Sequence, residues 1–299
     1  MAEAPVGAAI SLPAPAKLNL YLHVTGKSAD GYHLLDSLVA FAGIYDTVDI
    51  SPADRLSLLV DGPFAEGLPA TDDNLVLKAA RRLARAAGVS AGAAIRLDKR
   101  LPVASGIGGG SADAAATLIG LTRLWNVDAG RVGLDGLALE LGADVPVCLK
   151  GYAAFVGGIG EDIRRAPALP PAWLVLVNPG VGLETRAVFQ ARRGEFSGSG
   201  RFDESPATAA VLAGMLASSR NDLTEAAIGL APVVGEALAA LDASAGVLLA
   251  RMSGSGATCF GLYAEAGQAL AAQALIGRDH PRWWVLATPL IADVSALGR

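Results

Sequence analysis

The sequence predicts an α+β protein in two layers, folded as two domains that meet near residues 157–170. Three observations point there. Short strand patterns and helix patterns interleave along the chain instead of gathering into an all-helical or all-strand block. Lys17 to Val24 alternate strictly in a two-residue period, the mark of a strand with one buried face. The 299 residues, 52% of them hydrophobic and 18% charged, supply core for one large domain or two ordinary ones.

In the 17–24 strand, Leu18, Leu20, Leu22 and Val24 are expected inside, with Lys17, Asn19, Tyr21 and His23 on the other face. Gly26 and Asp30-Gly31 supply turn signals, and the stretch holding Leu34, Leu35 and Leu38 fits a helix or a strand. Tyr45 to Ile50 and Leu56 to Val60 read as strands. Asp73-Asn74 offers a helix N-cap ahead of Leu75, Val76, Ala79, Ala80, Leu83 and Ala87, and Gly88 offers the stop. Ile95 and Leu97 mark a short strand ending at Lys99-Arg100; a glycine-rich turn and a helical run from about Ala112 to Trp125 follow. Residues 153–178 alternate short strands with loops, and the Gly-, Ser- and charge-rich segment 194–207 reads as a mobile loop or linker. Helical patterns over 222–241, strands over 246–251 and 257–263, a helix near 266–275 and a strand near 283–287 complete the order. His280 and the Trp283-Trp284 pair are assigned to core packing.

Composition removes several function classes. With 24 basic against 29 acidic side chains the net charge is -5, which argues against a nucleic-acid partner. The two cysteines, Cys148 and Cys259, form no CxxC pair and no cluster with histidine, so neither zinc nor a disulfide framework is expected. The N-terminus lacks the basic start of a secretory signal, and no run approaches the about 20 apolar residues of a membrane span. A soluble, cytoplasmic protein is the expectation.

Pro102 to Ser111 reads PVASGIGGGS and is followed at once by a helical run. Glycines at 106, 108, 109 and 110 let the backbone turn tightly and bring several N–H groups onto one ligand. The helix N-terminus behind them adds unsatisfied donors, with Ser111 able to cap it, so the loop points to phosphate binding. It is not a Walker A loop, because no lysine precedes Ser111. Nor is it a dinucleotide fingerprint, which needs a first βαβ unit and a ribose-binding acid about 20 residues on. Asp113, in the first turn, fits a surface carboxylate favoured by the dipole; beside a triphosphate it fits only with a cation between, which makes Ser111 and Asp113 candidate Mg2+ ligands.

Several stretches then fall together: PAKLNLYLHVTGKSADGYHLLDSL (15–38), DKRLPVASGIGGGSADAA (98–115), LGADVPVCLKGYAAFVGGIGE (141–161), SRNDLTE (219–225) and RMSGSGATCFGLY (251–263). On these the chain resembles the GHMP kinases, and within them the branch that phosphorylates 4-diphosphocytidyl-2-C-methyl-D-erythritol. The glycine loop is common to the superfamily, whereas PAKLNL, DGYH and LGADVP are specific to the branch. The resemblance implies a ribosomal S5 domain 2-like α/β N-terminal domain (1–163) holding ATP and a ferredoxin-like C-terminal domain (164–299), with the active site between them. It implies transfer of the ATP γ-phosphoryl group to the 2-hydroxyl of the cytidyl diphosphate substrate, in isoprenoid precursor synthesis. Homoserine, mevalonate or a sugar remain alternative acceptors, and a nucleotide-binding protein without catalysis the alternative from another class.

Residue by residue, the resemblance implies Asp144 of LGADVP as general base on the acceptor hydroxyl, with Lys17 of PAKLNL beside it and Asn19 orienting the acceptor. A turn or helix-terminus role also suits Asp144, since Val145-Pro146 follow it. ATP would be held by Pro102, Val103, Ala104, Ser105, Gly106, Ile107, Gly108, Gly109, Gly110, Ser111 and Ala112, with Asn74 and Lys99 near the adenine and ribose. Tyr32 and His33 would hold the cytosine ring and Phe189 close its other side. Ser253 to Gly256 would pack beside the phosphate loop. The loop departs from the branch at Ser105, Ile107 and Ala112; the missing hydroxyl at 112 weakens metal ligation by the loop but leaves phosphate binding intact. A monomer or weak homodimer is expected, with ATP and its Mg2+ as cosubstrate.

Overall fold

The computed structural model describes residues 9–29, 31–68, 71 and 73–298; the start of the chain (1–8) and the turn residue Asp30 lie outside the described residues. Strands β1 (Ile10–Lys27) and β2 (His33–Ala53) form one long antiparallel pair. β2 settles the ambiguity around Leu34–Leu38 as strand, because both its edges are paired: β1 takes one, and the other is shared by three later strands.

The predicted alternation over 17–24 lies inside β1, but both of its faces are covered. Lys17, Asn19, Tyr21 and His23 are buried along with the leucines. A register shift between Asn19 and Tyr21 re-aims the strand, so Leu18, Leu20 and Tyr21 enter one core cluster while Leu22 and Val24 enter another.

After β3 (Ser57–Asp61) comes α1 (Leu75–Ala87), which starts and stops where its sequence directs. Asn74 Oδ1 accepts from Val76 N at 2.9 Å, and Gly88 takes φ 64°, the left-handed cap that glycine adopts without strain. β4 (Gly92–Asp98) lies between β2 and β3, antiparallel to the first and parallel to the second. The glycine loop leads into α2 (Gly109–Leu124), followed by α3 (Leu134–Leu141), α4 (Val145–Lys150), β5 (Ala154–Gly158) and β6 (Asp162–Arg165).

The second half contains β7 (Trp173–Asn178), α5 (Thr185–Ala191), α6 (Ala209–Leu216), α7 (Thr224–Leu230), α8 (Val233–Asp242), β8 (Val247–Met252), β9 (Cys259–Tyr263), α9 (Ala266–Asp279) and β10 (Trp284–Ile291). The helical pattern expected over 222–241 breaks at Pro232, which lacks the N–H to continue α7. The sheet runs β3-β4-β2-β10-β7-β9-β8, and among the described residues the β2–β10 ladder that joins its halves is two pairs long, Leu290 with Ala42 and Ile291 with Phe41, beside isolated bridges Leu22–Asn221 and Tyr152–Asp293.

Segment 194–207 is irregular, as expected, but it is pinned rather than loose. Asp36 accepts from Gly200 N (2.8 Å) and Arg201 Nε (2.6 Å), and Ser197 N donates to Val24 O at 3.0 Å. His280 and Trp283 stack at 3.6 Å on the flank of α9, both half-buried, and Trp283 and Trp284 pack against the core clusters as the assignment of the pair expected. Cys148 and Cys259 are buried and unpaired. Among the described residues no helix is long and apolar enough to cross a membrane.

Candidate active site

A cleft of about 690 Å3 opens between the glycine loop, β1, the start of α4 and α5. It is built from β1 outward. Lys17 N donates to Ile107 O at 2.8 Å, which ties the strand to the loop beside it. From that anchor Lys17 Nζ reaches Asp144 Oδ2 at 2.9 Å and Asn19 Oδ1 at 2.9 Å. Lys17 is buried, whereas the Asp144 side chain is 44% exposed and faces the cleft. Asp144 does occupy the residue before α4, as the turn reading required, yet its side chain caps no N–H and is spent on Lys17. Asn19 is oriented in turn by Ser37, whose Oγ accepts from Asn19 Nδ2 at 2.8 Å and donates to Tyr21 O at 2.5 Å.

The glycine loop stands directly against this pair. Gly108 has φ 64°, and a Cβ there would meet Lys17 Cε at 3.0 Å and Asp144 Oδ2 at 3.9 Å. The helix begins earlier than its apolar pattern suggested: Gly108 occupies the N-cap position and α2 starts at Gly109, so Ser111 is a helical residue and not the cap. Gly106, at φ 77°, is pressed against the 253–256 turn, where a Cβ would meet Gly256 O at 2.5 Å. Thr258 N donates to Ser105 O at 3.0 Å, and Ser253 Oγ donates to Gly106 O at 3.1 Å. The expected packing of Ser253–Gly256 on the loop is therefore observed.

Within the loop, Pro102, Val103, Ala104, Ser105, Gly106, Gly108, Gly109, Gly110 and Ser111 line the cleft. Ile107 and Ala112 do not: Ile107 is enclosed in the core beside Leu101, and Ala112 is buried in the layer under α1 and α2. Asn74 lines the cleft while its side chain caps α1.

Lys99 and Asp113 both reach the cleft, and the reading of Asp113 as a surface carboxylate is corrected, since it is 3% exposed. Lys99 borders the cleft as expected but is 3% exposed, with its ammonium held between Asp46 Oδ2 (2.5 Å) and Asp113 Oδ2 (2.8 Å). Burial alone would lower the Lys99 pKa, but the charges of Asp113 and Asp46 outweigh it and raise it. Asp113 is one turn deeper than a surface carboxylate. Burial pushes it up to about 7, against the pull of Lys99. Its Oδ1 is enclosed without a hydrogen-bond partner and its Oδ2 faces an ammonium, so the carboxylate does not fit as a ligand for a divalent cation. Ser111 and Asp113 both border the cleft, but the Asp113 carboxylate is committed to Lys99, which leaves the Ser111 hydroxyl as the better placed of the two candidate metal ligands.

At the other end of the cleft, His33 stacks on Phe189 at 5.0 Å and 28°, with Phe189 on the lining. Burial, then the charges of Lys27 and Arg192, lower the His33 pKa. Tyr32 is 63% exposed and stands outside the lining. Thr185 and Ser255 share a hydroxyl–hydroxyl hydrogen bond at 2.9 Å across this end. Sequence reasoning missed three structural residues of the site. Thr185 carried no signal, Ser37 lay unremarked inside the matched 15–38 stretch, and Asn221, inside the matched SRNDLTE stretch, holds the 252–254 turn by donating to Met252 O and Gly254 O, each at 2.8 Å.

Comparison with known proteins decides the family. The family model for the GHMP kinases N terminal domain matches residues 74–152, and that for the GHMP kinases C terminal matches residues 206–278. A 4-diphosphocytidyl-2-C-methyl-D-erythritol kinase of Paramagnetospirillum magneticum is 60% identical over 282 residues, 94% of this chain and 99% of that protein. The chain is a GHMP kinase of the 4-diphosphocytidyl-2-C-methyl-D-erythritol kinase family. The enzyme of the same name from Rhodospirillum rubrum is 53% identical over 94% of this GHMP kinase and 92% of its own length. The crystal structure of a 4-(cytidine 5'-diphospho)-2C-methyl-D-erythritol kinase superposes with TM-score 0.76 at 35% identity, covering 94% of this chain and 99% of the other. A homoserine kinase from Cytophaga hutchinsonii, at 17% identity and TM-score 0.73, shares the two-domain GHMP fold.

Proposed function

We propose that the chain transfers the γ-phosphoryl group of ATP to the 2-hydroxyl of 4-diphosphocytidyl-2-C-methyl-D-erythritol, releasing ADP and the 2-phosphate, as a step in isoprenoid precursor synthesis. The observation that carries this is the Lys17–Asp144 pair at 2.9 Å, set against Gly108 of the loop. Asp144, exposed to the cleft, takes the proton of the acceptor hydroxyl. The freed oxygen attacks the γ-phosphorus in line and ADP departs, with no phosphoenzyme. The Lys17 ammonium steadies the oxygen as charge develops, and Asn19 orients the acceptor. Main-chain N–H groups of 106–111 and the start of α2 hold the triphosphate. Positioning of the two substrates supplies much of the remaining rate.

Magnesium would accompany ATP and offset charge on its phosphates, with the Ser111 hydroxyl on the cleft wall available to hold it. His33 and Phe189 form the cytosine slot, and Tyr32 closes it from outside when the base is bound. The division is placed near 163/164, at β6, the last strand of the first half, between a half carrying the loop and a half carrying α5 and the 253–256 turn; the short β2–β10 ladder between the sheet halves supports it. A monomer or weak homodimer is the assembly proposed, and two buried free thiols accord with the reducing cytoplasm.

A coupled ADP-release assay over a panel of alcohols tests the reading. The diphosphocytidyl compound should turn over at least about 100-fold faster in kcat/KM than homoserine or mevalonate, since buried groups left unpaired by a wrong acceptor are costly. Equal rates across the panel would refute it.

A further inference from the structure

The glycine loop leaves the sheet at Lys99 and rejoins regular structure in α2, and its two ends are fastened to each other beneath it. Lys99 Nζ donates to Asp46 Oδ2 at 2.5 Å and to Asp113 Oδ2 at 2.8 Å. Asp46 sits within β2, fully buried, and its Oδ1 accepts from Arg100 N (2.5 Å) and Leu101 N (2.8 Å), where the chain turns into the loop. The Lys99 main chain is fixed as well, donating to Asp61 O at 2.7 Å and accepting from Phe64 N at 3.0 Å. One side chain from β2, one from the end of β4 and one from α2 thus close the neck of the loop. Gly109 lies directly above: a Cβ there would come within 3.0 Å of the Lys99 ammonium.

We infer that Asp46, Lys99 and Asp113 form a buried clamp that sets the phosphate loop in its binding shape, which makes all three positioning residues that act on ATP through the loop, although Lys99 and Asp113 also reach the cleft lining. The inference rests on the reading of 102–111 as the triphosphate cradle. A cradle of main-chain N–H groups binds an anion only when several donors converge, so a loop that must be ordered on binding binds weakly. An apolar plug could close the same neck, but it would not fix direction. Asp46 does: one oxygen holds the ammonium and the other holds the turn at Arg100-Leu101. Because the three charges are buried together, losing one leaves another unpaired, so their effects on the loop should be shared and not additive.

The test compares Asp46→Asn, Asp113→Asn and the double variant of the full chain, with Gly106→Val as a control that obstructs the loop itself. ADP affinity by calorimetry, KM for ATP, KM for the cytidyl acceptor and Tm are measured for each. The clamp predicts that each single variant weakens ADP and ATP roughly tenfold or more, as small misplacements of a binding group do, with acceptor KM changed by less than about twofold. It also predicts that the double variant loses less than the product of the singles. Folded single variants that keep nucleotide affinity within about twofold of the parent would overturn it. If the singles do not fold, the neutral triple variant Asp46→Asn/Lys99→Met/Asp113→Asn, which leaves no unpaired charge, is used: weak ADP binding supports the clamp. Parental binding overturns it, and failure of the triple to fold overturns it too, by showing a role in the fold at large. Gly106→Val separates the two ideas. If it retains ATP affinity, the cradle reading fails; if it loses affinity while Asp46→Asn does not, only the clamp fails.

Discussion

Lys17 has its charge fixed from two sides, by Asp144 Oδ2 and Asn19 Oδ1, both at 2.9 Å, so it has little freedom to do anything but face the reacting centre. Asp144 is the half-exposed member and the one able to reach an acceptor proton. Asp144→Asn keeps the volume and removes the base; kcat should fall about 10²–10⁴-fold with both KM values changed only a few-fold, read by ADP release. An unchanged kcat would remove Asp144 from the mechanism. At the cytosine end, Tyr32→Ala should raise the acceptor KM strongly and leave the ATP KM nearly unchanged, whereas equal weakening of both would count against a cytidine slot. Lys17, Asn19 and Asp144 were legible because they sit in short specific motifs. Asp46 was not: an aspartate within IYDTVDI looks like the solvent side of a strand until β1 and the loop are folded over it.

Among the elements, the 197–201 segment shows what pattern reading alone could not see. Its composition is that of a loose linker, yet Asp36 of β2 receives Tyr21 Oη (2.8 Å), Ser199 Oγ (3.2 Å), Gly200 N (2.8 Å) and Arg201 Nε (2.6 Å). Those bonds hold the chain that continues from α5, and with it Phe189, beside the cleft. Burial by itself would raise the Asp36 pKa; the bonds from Arg201, Gly200 and Tyr21 and the Arg201 charge together outweigh it and hold it below the usual carboxylate range. The folded value therefore lies under the unfolded one of about 3.9, so the stabilisation is complete above that pH and drains away as pH falls through the folded value. Asp36→Asn should cost about 1.5–3 kcal/mol at neutral pH, the worth of hydrogen bonds to a charged group. It should also flatten the loss of stability below about pH 4, as urea midpoints at neutral and acid pH would reveal. A variant with the parental acid sensitivity would mean that Asp36 is not the group being titrated. Most strands and the helices α1, α2 and α7 to α9 were readable, α1 through its own cap and stop, whereas α3 to α6 were missed because they lack enough turns to show a period.

For the whole molecule, the question is whether two domains behave as two folding units. The sheet halves are joined by a two-pair ladder and two isolated bridges, which taken alone suggests a loose junction. The core says otherwise: Leu18, Leu20, Leu38 and Phe155 of the first half share one buried cluster with Leu174, Leu176, Phe260 and Leu262 of the second. Each such side chain contributes about 1.5–3 kcal/mol on burial, so the shared cluster outweighs the few main-chain bonds and should make unfolding concerted. Phe155, 1% exposed and edge-on to Phe202 at 5.3 Å, sits within that cluster. Phe155→Ala should cost about 3–5 kcal/mol, and the loss should fall on both halves together. Hydrogen exchange against denaturant gives the readout: amides of α2 and of β9 should lose protection at the same concentration in the parent and at the same, lower concentration in the variant. If β9 stays protected while α2 opens, the halves fold separately, and the cleft between them owes its shape to bound substrates instead of to the common core.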